Sequence, residues 1–189
     1  MTGAVPPLDE DVVQRVNDLG TTLFSGTVYR HTSAGRDPLS GVGARLNGGR
    51  WNPAGVCGAI YLAQPRATCL REFDRLAEAT GLDPLMLLRS PRTLHTIEVR
   101  DLPVLDLRDP ERLSYARLSL NDIGDDDWTA CQSAGHAAYF LGMSGVVAAS
   151  ATGQGVVIAA FEPRVAPEQL TVIDHTPLDE ATYRGLHDQ

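Results

Sequence analysis

Nowhere in the sequence does an apolar run approach the about 20 residues that a membrane-spanning helix needs. The opening segment, MTGAVPPLDEDVV, has no basic patch followed by an apolar stretch, so it does not read as a secretion signal and a cytoplasmic protein is expected. Cysteine is scarce. Cys57, Cys69 and Cys131 stand far apart, with no CxxC and an odd count, which argues against a disulfide framework or a zinc site. All three are expected to be small buried apolar side chains. The five histidines, His31, His95, His136, His175 and His187, form no HxxxH pair and none adjoins a cysteine, so no protein-bound metal is expected. Positive charge is short as well: the formal net charge is -8, and no cluster of basic residues lays down a stripe for phosphate backbones. Sequence-independent binding to DNA or RNA therefore has little support. A small-anion pocket is still open to an acidic protein, because it needs only a few arginines converging locally.

What is present suffices for one sizeable core. At 189 residues and 43% hydrophobic, the chain reads as a single domain. Its chemistry is concentrated between Asn47 and Glu72, NGGRWNPAGVCGAIYLAQPRATCLRE. Glycines 48 and 49 let the backbone come close to a ligand, and the Arg50 that follows them offers a fork suited to phosphate. Tyr61 can present a ring face, and a carboxylate in the following helix can steady a developing cation. That set suits a dinucleotide better than a metal or a nucleic acid.

Around this stretch, residues 8–19 carry Leu8, Val12, Val13, Val16 and Leu19 at helical spacing, ending at Gly20. Gly26 to Thr32 reads as a strand with Arg30 inside it, and an arginine so placed most often faces solvent. The segment from Ser33 to Arg50, with five glycines, reads as a long loop, usually functional or mobile. Ala59 to Leu62 is a short buried strand, and Pro65 opens a helix that stops at Gly81. On that helix Cys69, Leu70, Phe73, Leu76 and Ala77 share one side, with Arg71, Arg75 and Glu78 opposite. Glu72 and Asp74 fall at the two edges of the apolar stripe, and periodicity does not choose between them.

Pro84 to Arg92 reads as a short helical or irregular excursion, and residues 94–99 and 104–107 as two strands. His95 and His136 are acid–base candidates without a visible partner, the ordinary mark of a structural histidine. The acidic run 121–128 lacks the ligand order of a calcium loop; Asp126 or Asp127 is instead expected to cap a helix starting near Trp128. That helix is rich in small residues, which would let it lie close against a sheet. Val146 to Ala149 and Val156 to Phe161 read as strands joined by SATGQG, and Thr176-Pro177-Leu178-Asp179 as a helix start capped by the threonine.

Taken together, YRHT, GGRWNP, AIYLA, the LREFDR helix and VVAASATGQGVVIAAFE resemble the RES domain, a bacterial toxin family named for arginine, glutamate and serine. The order and spacing hold from about Tyr29 to Glu162, and the GDDDW and GHAAYFL segments are similar to mycobacterial NAD-degrading members. The resemblance implies an α+β fold: a single domain over 1–189 with an ADP-ribosyltransferase-like mixed β-sheet core, core motifs at about 29–162, and flanking helices at 8–19 and 177–187. It implies a toxin that cleaves the nicotinamide–ribose bond of NAD+, with no cofactor beyond NAD+ as substrate. It selects Glu72 over Asp74 and makes Glu72, Arg50 and Tyr61 the catalytic set. Arg30, Arg50, Tyr61, Ser150 and His31 become the substrate-binding residues, His31 standing where relatives carry an aromatic ring.

On that reading Glu72 would hold the ribose hydroxyl, Arg30 and Arg50 the pyrophosphate or an attacking phosphate, Tyr61 the nicotinamide ring, and Ser150 the ribose or a phosphate. Inorganic phosphate is the first choice of nucleophile, giving ADP-ribose-1″-phosphate; water would make a glycohydrolase and a protein side chain an ADP-ribosyltransferase. An Xre-type antitoxin that blocks the pocket is the implied partner. An RNA-cleaving toxin using His31, His95 or His136 is disfavoured by the charge, and an inactive binding module is the remaining class.

Overall fold

The computed structural model describes residue 5 and residues 7–187; the other positions, among them residues 1–4 and 6 of the opening segment read for a secretion signal, lie outside the described residues. The chain runs α1 (Glu10–Leu19), β1 (Thr22–Ser33), α2 (Val42–Asn47), β2 (Ala59–Gln64), α3 (Arg66–Thr80), α4 (Pro84–Leu87) and β3 (Arg92–Leu107). It continues with α5 (Pro110–Tyr115), α6 (Leu120–Gly124), α7 (Thr129–Phe140), β4 (Gly145–Ala149), β5 (Val156–Phe161), β6 (Leu170–Pro177) and α8 (Glu180–His187). The result is a mixed sheet flanked by helices, the α+β arrangement expected.

The six strands are ordered β1-β2-β5-β4-β3-β6, and β1 also pairs with β3, so the first five bend round into a near-ring. Most seams are long: β1 and β3 pair antiparallel from Thr22↔Val104 to Ser33↔Arg92, and β2 and β5 from Ala59↔Phe161 to Gln64↔Val156. Among the strand pairings of the described residues, only β3–β4 is parallel. One seam is weak, because β1 and β2 register at the single pair Tyr29↔Ala63. The ring parts there.

Alternation along the strands divides the core. Ile60, Leu62, Val147, Ile158 and Ala160 face a cluster with Phe24, Val28, Ile97 and Leu102. Their neighbours Ala59, Val146, Ala148, Ala159 and Phe161 face a second cluster built with α1, α7 and Trp51. On α1, Asp9 caps the amides of Asp11 and Val12, and Val12 and Val16 are the buried face.

Three local expectations differ from the structure. The two strands at 94–99 and 104–107 are one strand, β3, carried through an exposed bend at Asp101 (φ 44°). Aspartate tolerates this region better than most residues, and here its amide donates to Ser25 Oγ (2.8 Å). The loop between Ser33 and Arg50 contains the short helix α2. Thr176 and Pro177 finish β6 rather than start a helix; α8 begins at Glu180, with Asp179 accepting the Thr182 amide at 2.8 Å. The small residues of α7 let it lie against the sheet as expected, and they serve a turn as well. A Cβ on Gly135 would lie 1.9 Å from the Trp51 carbonyl oxygen, so the helix rests directly on the Arg50–Pro53 turn while packing on β4. Of the two candidate caps for α7, Asp127 accepts from the Thr129 amide (3.0 Å) and hydroxyl (2.6 Å), and Asp126 is left exposed.

Candidate active site

Where β1 and β2 part, a cleft opens with two adjoining hollows of about 290 and 520 Å³, both bordered by Arg30, Tyr61, Glu72 and Val157. The smaller is completed by Tyr29, His31, Leu62, Ala63 and Cys69. The larger extends over the Gly48–Trp51 turn to Arg75, Leu76 and Trp128.

Glu72 comes to this wall on α3 and is fixed by Ser150, whose hydroxyl donates to Glu72 Oε1 at 2.6 Å. Ser150 is 3% exposed and sits at the end of β4, where the turn to β5 presses on the start of α3. A Cβ on Gly155 would lie 2.0 Å from Thr68 Oγ1, and Thr68 donates to the Gln154 carbonyl (3.1 Å), so that turn and α3 are locked together. Thr152 donates its amide to Ser150 Oγ (3.1 Å), and the two hydroxyls are 2.7 Å apart. Asp74, the other carboxylate at the edge of the stripe, accepts from the Tyr183 hydroxyl (2.6 Å) and borders neither hollow. Ser150 itself borders neither hollow and meets the cleft through Glu72.

Tyr61 is built into the wall from the other side. Its hydroxyl donates to Asn52 Oδ1 (2.9 Å) and accepts from the Trp51 amide (2.9 Å). Asn52, wholly buried, donates in turn to the carbonyls of Ala44 (2.9 Å) and Cys57 (3.2 Å). The glycine pair is required at this point: a Cβ on Gly49 would stand 2.4 Å from the phenol oxygen. Burial pushes the phenol pKa well above its ordinary value, so Tyr61 is neutral.

The arginines are anchored by backbone carbonyls. Arg30 donates from Nη1 to Pro38 (2.8 Å) and from Nη2 to Ser40 (3.0 Å), tying the glycine-rich segment to β1. Arg50 donates from Nη1 to Asp125 (2.7 Å) and Asp122 (3.3 Å), and its guanidinium stands 5.6 Å from the Trp128 ring centre. Burial draws both guanidinium pKa values below the usual range, and at Arg50 the charge of Arg75 adds to the effect.

His31 packs edge-on against Phe73 (5.2 Å, 79°), with Arg92 Nη1 3.4 Å from its Nδ1. Burial first, then Arg92 and Arg30, bring its pKa down to about 4, so the ring is neutral near pH 7. His95, buried and 3.0 Å from Thr32 Oγ1, borders neither hollow, nor does His136. Among the described residues no group of three His, Cys, Asp or Glu could hold a metal, and no helix is long and apolar enough to cross a membrane. The three cysteines are free and buried.

The cleft thus gathers Arg30, His31, Arg50, Tyr61 and Glu72, with Ser150 behind the glutamate. Sequence reasoning missed Asn52, Trp128 and Arg75. Asn52 is a polar residue inside the GGRWNP turn, the one available hint that something there must be bonded internally. Trp128 closes the acidic run with no signal of its own, and Arg75 was read as part of a solvated face.

A carboxylate held by a buried serine, two cleft arginines from β1 and the glycine turn, and a strand tyrosine are disposed here in the order of the RES motifs. The chain belongs to the RES domain family, whose match spans residues 27–179. It is 46% identical over 179 residues to the NAD(+) phosphorylase MbcT of Mycobacterium tuberculosis strain H37Rv, covering 95% of this chain and 96% of that protein; the Mycobacterium bovis protein of the same name matches equally. Its structure is similar to that in the crystal structure of the M. tuberculosis MbcT-MbcA toxin-antitoxin complex, with TM-score 0.91, 45% identity, and coverage of 97% of this chain and 100% of that one.

Proposed function

We propose that this protein is a toxin that destroys NAD+ by phosphorolysis, releasing nicotinamide and ADP-ribose-1″-phosphate. The observation that carries the reading is the Ser150–Glu72 hydrogen bond, which fixes a carboxylate on the wall that Arg30 and Tyr61 share; kinship at 46% identity to an NAD(+) phosphorylase supplies the substrate.

Breaking the glycosidic bond sends its electron pair to the nicotinamide nitrogen, which loses its positive charge, so no general acid is needed. Positive charge builds on the ribose instead, as in glycoside hydrolysis. Glu72 faces that charge and accepts from a ribose hydroxyl, strengthening its hold as the cation develops. Tyr61 offers its ring to the nicotinamide while its hydroxyl stays bonded to Asn52 and Trp51. Arg30 and Arg50, already tethered by carbonyls, keep donors for the pyrophosphate or the attacking phosphate with little reorganisation. Ser150 acts through Glu72, and His31 borders the smaller hollow as a neutral ring. A phosphate oxygen then bonds to the ribose carbon.

The protein acts in the cytoplasm, where NAD+ and phosphate are both plentiful, and is held in check by an antitoxin of the Xre type that covers the cleft. Following nicotinamide release with and without inorganic phosphate, then weighing the nucleotide product, tests the reading. Phosphate-dependent release with an ADP-ribose-phosphate product is expected. Free ADP-ribose at an undiminished rate without phosphate would make the enzyme a glycohydrolase, and intact NAD+ would end the proposal.

A further inference from the structure

Phosphorolysis asks the cleft to hold a second anion beside a carboxylate that repels it, and the arginines are not equally able to do so. Arg30 commits both terminal nitrogens to carbonyls. Arg75, three residues after Glu72 on α3 and therefore on a neighbouring line of the same helix, is less committed. Among the described residues it hydrogen-bonds only through Nη2, to the Gly124 carbonyl (3.0 Å) and to the wholly exposed Asp126 carboxylate (3.4 Å). Exposed pairs of that kind are worth little in water.

Arg75 borders the larger hollow together with Arg50 and Glu72; its other flank borders a side hollow of about 350 Å³ that Asp74, Glu78 and Thr152 also line, so the side facing Arg50 is the one open to an anion. The two guanidiniums are close enough for the charge of Arg75 to depress the pKa of Arg50. Two like charges converge on one hollow whose carboxylates are Glu72, already bonded by Ser150, and the solvent-exposed Asp126, an arrangement that a bound dianion completes.

Resting on the phosphorolytic reading above, we propose that Arg75 and Arg50 form the site for the attacking inorganic phosphate, with Arg75 the residue that separates phosphate use from NAD+ binding. In the step itself a hydrogen-phosphate oxygen forms the bond to the anomeric carbon. The carbon–nitrogen bond breaks with its electron pair retained by nicotinamide, and the remaining phosphate proton goes to solvent.

The test is steady-state kinetics of the full chain and its Arg75→Gln and Arg75→Lys variants, varying inorganic phosphate and NAD+ separately and weighing the products. One lost charge-assisted contact should raise KM for phosphate by about 10- to 100-fold in Arg75→Gln. KM for NAD+ should change by less than about threefold, and the product should shift toward free ADP-ribose at low phosphate. Arg75→Lys, which keeps the charge without the fork, should fall between the two proteins. Because Arg75 is partly exposed, circular dichroism should show both variants folded. An unchanged KM for phosphate, or equal rises for both substrates, would overturn the assignment. Failure of the unsubstituted protein to consume phosphate would instead overturn the reading on which it rests.

Discussion

Replacing Glu72 with glutamine removes one charge and almost nothing else. The amide oxygen can still accept from Ser150 Oγ, now 2.6 Å from the carboxylate, so the contact between α3 and the β4–β5 turn persists. The loss falls on the transition state. At about 4 Å a unit charge pair is worth about 1 kcal/mol in water and about 4 kcal/mol at the effective dielectric of a protein surface. Glu72 is half-buried, and the sugar carries less than a full charge, so about 3 kcal/mol is the expected cost, a rate lower by about 100-fold. Initial rates of nicotinamide release at saturating NAD+ and phosphate measure it, with a thermal melt as control. A kcat within about threefold of the parent, at unchanged Tm, would refute the electrostatic role of this carboxylate.

Arg30→Lys cannot reach both carbonyls with the same geometry; with Pro38 and Ser40 no longer held together, stability should drop by about 2 kcal/mol in urea titration and KM for NAD+ should rise. Gly135→Ala should cost at least about 3 kcal/mol, because the new methyl would lie 1.9 Å from the Trp51 carbonyl oxygen, a backbone atom that cannot swing aside. The pH dependence of folding should report His31. The folded protein keeps the ring neutral down to about pH 4 whereas the unfolded chain takes up the proton near 6.5, so stability rises with pH across that window, by up to about 3 kcal/mol. Urea midpoints at pH 7 and 5 should differ, and the difference should shrink in His31→Phe.

What the sequence could reveal followed from how local each signal is. β2 and α3 are bounded by Pro65 and Gly81, and both stand where the punctuation puts them. The bend in β3 was hidden because Asp101 leaves the extended region through a bond from Ser25, 76 residues away, which no window along the chain contains. The same holds for the site. Glu72 and Asp74 are equivalent by periodicity, and they are separated by Ser150 and Tyr183, which arrive from distant segments. The family motifs supplied that choice earlier, from pattern rather than physics. Arg75 was missed because three arginine-bearing positions on an amphipathic helix look alike until a neighbouring turn makes one of them a cleft wall.

The most direct measurement is a crystal structure of the slow Glu72→Gln protein with NAD+ bound. The nicotinamide riboside should lie in the cleft between β1 and β2, its ribose within hydrogen-bonding distance of residue 72 and its base against Tyr61. NAD+ bound anywhere else, or with its glycosidic bond turned away from residue 72, would contradict the proposed chemistry.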